Sequence, residues 1–149
     1  METINLENIY QSATSTRANF SSVMDQAIYD RPQFIKRTRN RAILISTECM
    51  IDLLANTKLH CEIKTETDGS LILMCREIEH LLATGKTLPE ATRDMAMQLL
   101  DYAQDYYNEF GLYSRIANTK QHLEYVMKAL ALGTVDAVEN MIECQAGKD

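Results

Sequence analysis

Apolar and polar residues alternate at helical and strand spacings in the first third of the chain. The apolar positions Phe20, Val23, Ala27 and Ile28 repeat every three or four residues, which predicts one buried helix face. A proline at position 32 then ends the helix, because proline removes a backbone donor and restricts the residue before it. The elements predicted here are an edge strand at 4–10, a helix capped by Thr14 or Ser15, strands at 33–37 and 42–46 around a turn in which Asn40 takes a positive φ, and a helix at 47–58.

The rest of the chain combines a hairpin with longer helices. The Thr-Asp-Gly sequence at 67–69 separates two apolar segments and predicts the turn between two strands. Thr87 and Glu90 form a capping box around Pro89, which predicts a helix that ends at Gly111 as its C-cap. The elements predicted here are strands at 61–66, 70–78 and 81–85, and helices at 87–110, from Asn118 or Thr119 to Gly133, and from Thr134 onward.

The last predicted helix has a narrow apolar stripe. Val135, Val138, Met141 and Ile142 follow the capping residue Thr134 at helical spacing. A stripe of this width can lie in a partner's groove, or it can pack back on its own lobe. The sequence leaves both interpretations open, and we take the four residues as candidate partner-docking residues.

Composition is typical of a globular protein. The 149 residues are 46% hydrophobic and 24% charged, with only five Gly and two Pro. No apolar run approaches the length of a membrane span, and the N-terminal residues do not resemble a secretory signal, so we expect a cytoplasmic protein without membrane contact. The cysteines and histidines lack the spacing of zinc ligands; we expect reduced thiols, no metal and no cofactor.

Charge is unevenly distributed along the chain. Residues 1–60 contain seven Lys or Arg and six Asp or Glu, whereas residues 61–149 contain eight and fifteen, a net charge of −7. This asymmetry predicts that the two parts meet different partners. We therefore predict an α+β chain of two lobes. The first lobe spans 1–58, and the second, a small lobe of a hairpin plus helices, spans 60–149.

A basic cluster without intervening acids lies in the first lobe. Its members are Arg31, Lys36, Arg37, Arg39 and Arg41. A solvated hairpin tip would explain any one of these residues. Together, beside the helix that carries Arg17, they indicate a phosphate-binding surface.

Sequence motifs of enzymes are scarce. The chain contains no G-x-S-x-G, Walker A, G-x-G-x-x-G or H-E-x-x-H sequence. Catalytic magnesium would need several inward carboxylates, whereas Glu62, Glu66, Glu77 and Glu79 of the second lobe are typical of a solvated acidic edge. We therefore predict that the protein is not an enzyme.

Residues 3–55 resemble the Phd/YefM family of type II antitoxins. The segment SATSTRANFSSVMDQA is similar to that family's S-x-A-R-x-N-L-S-x-x-x-x-x-A helix, with Ser15, Arg17 and Asn19 among the matching positions. The family's proline, its two strands and its second helix follow in the same order, although Arg41 replaces the turn glycine. Further along, residues 68–106 resemble HicB-like antitoxin domains, and 117–133 resemble the end of antitoxins of RelE-like toxins.

The resemblance implies an antitoxin that represses its own operon. In the Phd/YefM family the N-terminal lobe forms a homodimer and binds operator DNA, and the C-terminal segment covers a toxin. Arg17 and Arg37 occupy matching DNA-binding positions, and the basic cluster adds Lys36, Arg39 and Arg41. The acidic second lobe would cover a small basic toxin such as a RelE-like ribonuclease, since complementary charge steers association.

Several expectations depend on this resemblance. The partners would be operator DNA, a cognate toxin and further copies of the chain, in a homodimer or higher oligomer. The toxin-binding residues would be Val135, Val138, Met141 and Ile142. Two alternatives remain, a DNA-binding transcriptional regulator whose second lobe senses a ligand, and a metal-dependent nuclease.

Overall fold

The computed structural model describes residues 6–147, in which helices and strands form an α+β fold. The chain divides into two compact units, Met1–Met50 and Ile51–Asp149. This boundary lies inside the helix Thr47–Leu53, earlier than the 58–60 boundary that we expected from the charge pattern. Within 6–147, no helix is both long enough and apolar enough to cross a membrane.

Unit 1 contains a three-stranded sheet with helices. The strands lie in the order β1-β2-β3, with β1 parallel to β2 and β2 antiparallel to β3. Its elements are a 3-10 turn at Glu7–Ile9, β1 (Tyr10–Ser12), α1 (Ala13–Ala18), α2 (Phe20–Tyr29), β2 (Gln33–Arg37), β3 (Asn40–Leu44) and the start of α3 (Thr47–Leu53).

Three local expectations for unit 1 were wrong. Residues 7–9 of the expected edge strand form the 3-10 turn instead, and its first two residues lie outside the described part of the chain. Ser12 caps α1, because its hydroxyl accepts a hydrogen bond from the backbone of Ser15 at 3.0 Å. In the β2–β3 turn, Thr38 and not Asn40 takes the positive φ, at 55°.

The apolar core of unit 1 is very small. Among residues 6–50, the buried apolar side chains are Val23 and Ala27 of α2, at 4% and 5% exposed. Phe20 and Ile28, which the helical pattern placed inward, are 56% and 48% exposed. The sequence pattern therefore identified an apolar helix face correctly, but only its centre is covered within the chain.

Unit 2 is a four-stranded sheet with helices on one face. The strand order is β6-β5-β4-β7, and the last strand runs parallel to β4. Helix α4 packs on β5 and β6, while α7 and α8 pack on α4. The elements are β4 (Leu59–Thr65), β5 (Leu71–Cys75), β6 (Leu82–Gly85), α4 (Leu88–Asn108), α5 (Phe110–Tyr113), α6 (Ala117–Lys120), α7 (Leu123–Leu132), α8 (Val135–Glu139) and β7 (Ile142–Ala146).

Helix α4 is the central element of the unit 2 core. The Thr87 hydroxyl accepts a hydrogen bond from Glu90 N, and the carboxylate of Glu90 accepts one from Lys86 N, so the capping signal is confirmed. The core face of α4 buries Met95, Leu99, Tyr102 and Tyr106 among other residues.

The C-terminal end of this unit differs from the sequence-based prediction. Gly111 lies inside α5, and Glu109 is the C-cap of α4. The expected last helix is only the short α8, and Ile142 begins β7. Residues after Met141 follow a two-residue alternation because β7 pairs with β4, so the stripe from Val135 to Ile142 is not one helix face.

Candidate functional site

The pleat of the unit 1 sheet divides the basic cluster. Lys36 of β2 lies opposite Arg41 of β3, and Arg37 lies opposite Asn40. Because successive strand residues point to opposite faces, Lys36 and Arg41 share one face of the sheet and Arg37 lies on the other. The cluster is continuous in sequence, but the sheet divides it: Lys36 and Arg41 form a first group on one face, and Arg37 lies on the other.

The single carboxylate of Glu7 contacts both Lys36 and Arg41 and offsets part of their charge. This carboxylate accepts a hydrogen bond from Lys36 Nζ at 3.0 Å and from Arg41 Nη2 at 2.8 Å. The Arg41 guanidinium also lies 4.9 Å from the centre of the Tyr10 ring. The hydrogen bond and charge of Lys36, with the charge of Arg41, lower the pKa of Glu7. This contact was not predictable from local sequence, because Glu7 lies far from the cluster along the chain.

The other three residues predicted to contact DNA are available to an anionic partner. Arg17, Arg37 and Arg39 are exposed, and none of them forms an ion pair with another residue of the described range. Arg37 lines a small cavity of about 240 Å³, and Ala13, Asn40 and Arg41 are among its other lining residues. Of the five residues predicted to contact DNA, these three are the cations without a competing carboxylate in residues 6–147.

The predicted toxin-docking stripe is not a free surface. Val138 and Met141 are 0% and 1% exposed and belong to the unit 2 core. Val135 and Ile142 are half-buried against the same core. The interpretation that the stripe packs on its own lobe is therefore the correct one, because α8 packs on α4 and β7 completes the sheet.

Two of the four carboxylates considered as magnesium ligands, Glu77 and Glu62, make structural contacts. Glu77 accepts a hydrogen bond from the backbone nitrogen of His60 at 2.6 Å, and its Oε1 lies 2.7 Å from Nδ1 of the same residue. Glu62 lies 3.9 Å from Arg76. In the part of the chain that the structure describes, no group of three or more His, Cys, Asp or Glu side chains is arranged to hold a metal ion.

A cluster of polar residues lies beside the apolar core of unit 2. It surrounds a cavity of about 330 Å³ that is lined by Glu77, His80, Thr119 and His122, among others. The ring of His80 contacts Tyr102 edge-on, with 4.7 Å between ring centres. Burial lowers the pKa of His122, and the neighbouring His80 adds to that effect.

Comparison with known proteins identifies the family. Residues 8–144 match the PHD-like family model, which is described as antitoxin of toxin-antitoxin, RelE / RelB, TA system. The chain belongs to this antitoxin family. The match spans both units of the antitoxin, whereas the Phd/YefM resemblance covered residues 3–55 alone.

A solved structure agrees with this assignment. The antitoxin is similar to a crystal structure from Syntrophomonas wolfei subsp. wolfei, described as an antitoxin part of a candidate toxin/antitoxin system. The two share 33% sequence identity with a TM-score of 0.85, over 93% of this chain and 99% of that chain. No protein of curated function matches the antitoxin. The sequence-based prediction of an antitoxin is thus confirmed in its general form.

Proposed function

We propose that this antitoxin neutralises a cognate RelE-like ribonuclease toxin through unit 2 and represses its own operon through unit 1. The observation that carries the proposal is the family match over residues 8–144. The separation of charge supports it, because exposed arginines lie in unit 1 while residues 61–149 hold fifteen acidic and eight basic residues. A ribonuclease toxin must be basic to hold RNA, so an acidic cover complements it.

Operator binding would use the unpaired arginines of unit 1. Arg17, Arg37 and Arg39 can contact backbone phosphates, which supply most of the affinity in protein–DNA complexes. Lys36 and Arg41 would contribute less, because each must first give up its contact with Glu7. This assignment keeps the five residues of the sequence-based prediction but ranks them by their local charge partners.

Dimerisation of Phd/YefM type would complete unit 1. With two buried apolar side chains in the described part of the unit, residues 6–50, it resembles the small domains that need extra burial to be stable. Its large exposed apolar side chains are Leu6, Ile9, Phe20, Ile28, Tyr29 and Ile43. A second copy of the chain, covering part of this surface, would supply the missing core and would place two sets of arginines along one DNA duplex.

The likeness of residues 68–106 to HicB-like antitoxin domains belongs to the same proposal. In unit 2 this run contains β5, β6 and most of α4. In this proposal the sheet and the long helix together form the scaffold that binds the toxin.

Co-expression tests both parts of the proposal. The gene would be induced together with its adjacent reading frame, which we take to encode the toxin. The cells would also carry a reporter fused to the operon's promoter. We expect growth to be restored and the reporter to be repressed, with repression weakened by Arg37→Ala. Restored growth without repression would remove the operator role. Repression without restored growth would instead favour the DNA-binding regulator with a ligand-sensing lobe.

A further inference from the structure

Helix α4 carries a second stripe that flanks its core face, and one member of it, Leu100, is half-buried against the core. The stripe consists of Met97, Leu100, Gln104 and Tyr107, spaced three, four and three residues apart. Met97 is 49% exposed and Tyr107 is 65% exposed. Alternating spacings of three and four are the pattern with which one helix meets another along a seam. In the sequence, the polar residue Gln104 interrupts the apolar spacing of this stripe.

A groove runs beside this stripe. Leu100 and Tyr107 of α4 and Leu130 near the end of α7 line an open space of about 480 Å³. The chain turns away there at Gly133, where the C-cap of α7 has a φ of 77°. Because glycine has no side chain, this end of the groove stays open.

One acidic residue lines the groove, and a second lies next to it on the same helix. Asp101 lines it, and Asp105 lies one helical turn further along α4. Both side chains are exposed, and neither forms an ion pair within residues 6–147. Arg93, the one cationic residue of α4, is held by Asp136 at 2.8 Å and Glu139 at 3.2 Å. The surface around the groove therefore has uncompensated negative charge beside apolar and aromatic side chains.

We propose that this groove binds a basic amphipathic helix of the toxin, an inference that rests on the proposed function. Apolar side chains of that helix would lie on Leu100 and Tyr107, and its lysine or arginine side chains would meet Asp101 and Asp105. Tyr107 is exposed, and tyrosine is enriched among the interface residues that contribute most to affinity. The groove thus takes the docking role that the sequence had assigned to the stripe at 135–142.

The charge of the groove argues against a second copy of this chain as the occupant. In a symmetric pair the acidic residues would approach each other, and like charges placed together oppose association. A partner with a basic, apolar helix has the complementary surface.

Two variants test the groove. Asp101→Lys with Asp105→Lys reverses its charge, and Asp52→Lys with Glu79→Lys makes the same change in net charge at other exposed acids. Binding to the protein of the adjacent reading frame would be measured by titration calorimetry with full-length chains. We expect the groove variant to raise the dissociation constant on the order of 100-fold and the control pair to change it less than about threefold. Tyr107→Ala should raise it on the order of 30-fold, the size expected of a central interface residue.

The possible outcomes test the docking site and the proposed function separately. Wild-type affinity in both groove variants would overturn the docking site and leave toxin binding by this chain intact. No binding by the wild-type chain would overturn the proposed function and this inference with it. Sedimentation of the chain alone gives a third readout, since a loss of self-association in Tyr107→Ala would show that a second copy occupies the groove and would overturn the assignment to the toxin.

Discussion

The hydroxyl of Tyr102 lies 2.7 Å from Nδ1 of His122, in a region of unit 2 where the histidine is 6% exposed. The backbone of Glu77 also hydrogen-bonds the imidazole. Because the backbone carbonyl can only accept, we assign the ring proton to that side and the role of donor to the Tyr102 hydroxyl. The same burial, with the nearby Tyr106 and Tyr113, raises the pKa of Tyr102 to about 12, so it stays protonated.

Removing this hydroxyl should destabilise unit 2. Tyr102→Phe would leave Nδ1 of His122 buried without its donor, and we expect the free energy of unfolding to fall by about 1–3 kcal/mol. Tyr106→Phe is the matched control, because the Tyr106 hydroxyl is buried and has no hydrogen-bond partner in the described part of the chain. We expect that control to be neutral or stabilising. Urea unfolding of both variants measures the difference, and equal losses would contradict the assigned contact.

His122 should make stability depend on pH. Burial lowers its pKa below 6.5, so between that lowered value and 6.5 the unfolded chain binds more protons than the folded chain. The free energy of unfolding should therefore fall as the pH drops below about 6.5, and this contribution is fully present above that pH. Unfolding midpoints from pH 7.5 to 5 in the wild type and in His122→Gln test this. A slope that is the same in both proteins would assign the dependence to other groups.

Gly85 should not tolerate a side chain. A Cβ added there would lie 2.9 Å from Cα of Ala91 and 2.9 Å from the backbone carbon of Glu90. The end of β6 therefore approaches the first turn of α4 too closely for any residue but glycine. We expect Gly85→Ala to cost about 1–3 kcal/mol of stability, as overpacking does. Gly111→Ala, where a Cβ meets no atom within 4 Å, is the control for thermal unfolding.

The arginines of unit 1 should differ in their effect on operator binding. Arg37→Ala removes a cation without an ion-pair partner among residues 6–147, whereas Arg41→Ala removes one that already forms an ion pair with Glu7. We expect Arg37→Ala to lower both the affinity and the slope of affinity against salt, by about one unit per site, and Arg41→Ala to have a smaller effect. Anisotropy titrations with promoter DNA at several salt concentrations measure this. An equal loss in the two variants would show that Glu7 releases Arg41 on binding.

Signals that act within a few residues were predictable from the sequence. The Thr87 cap of α4 and the glycine that ends α7 depend only on neighbouring backbone, and both occur where the sequence placed them. The pair β2 and β3 was also predicted, although β3 begins earlier than expected.

Features that depend on distant residues were not predictable in the same way. Residues after Met141 became a strand because β4 offers them an open edge, a partner about eighty residues earlier in the chain. Glu7 reaches Lys36 and Arg41 because β1 lies beside β2 and brings the N-terminal residues to that strand. Helical spacing identifies an apolar stripe but does not say what covers it, and for that reason the sequence left open whether Val138, which is buried, docks on a partner or packs on its own lobe.

Inhibition of the toxin by the purified chain tests the central claim most directly. The protein of the adjacent reading frame would be incubated with RNA while increasing amounts of the antitoxin are added, and RNA cleavage would be measured. We expect cleavage to fall in proportion to the added chain and to stop at a fixed stoichiometric ratio, because a neutralising partner covers the toxin and is not consumed. Cleavage that continues at full rate in a large excess of the chain would contradict the account.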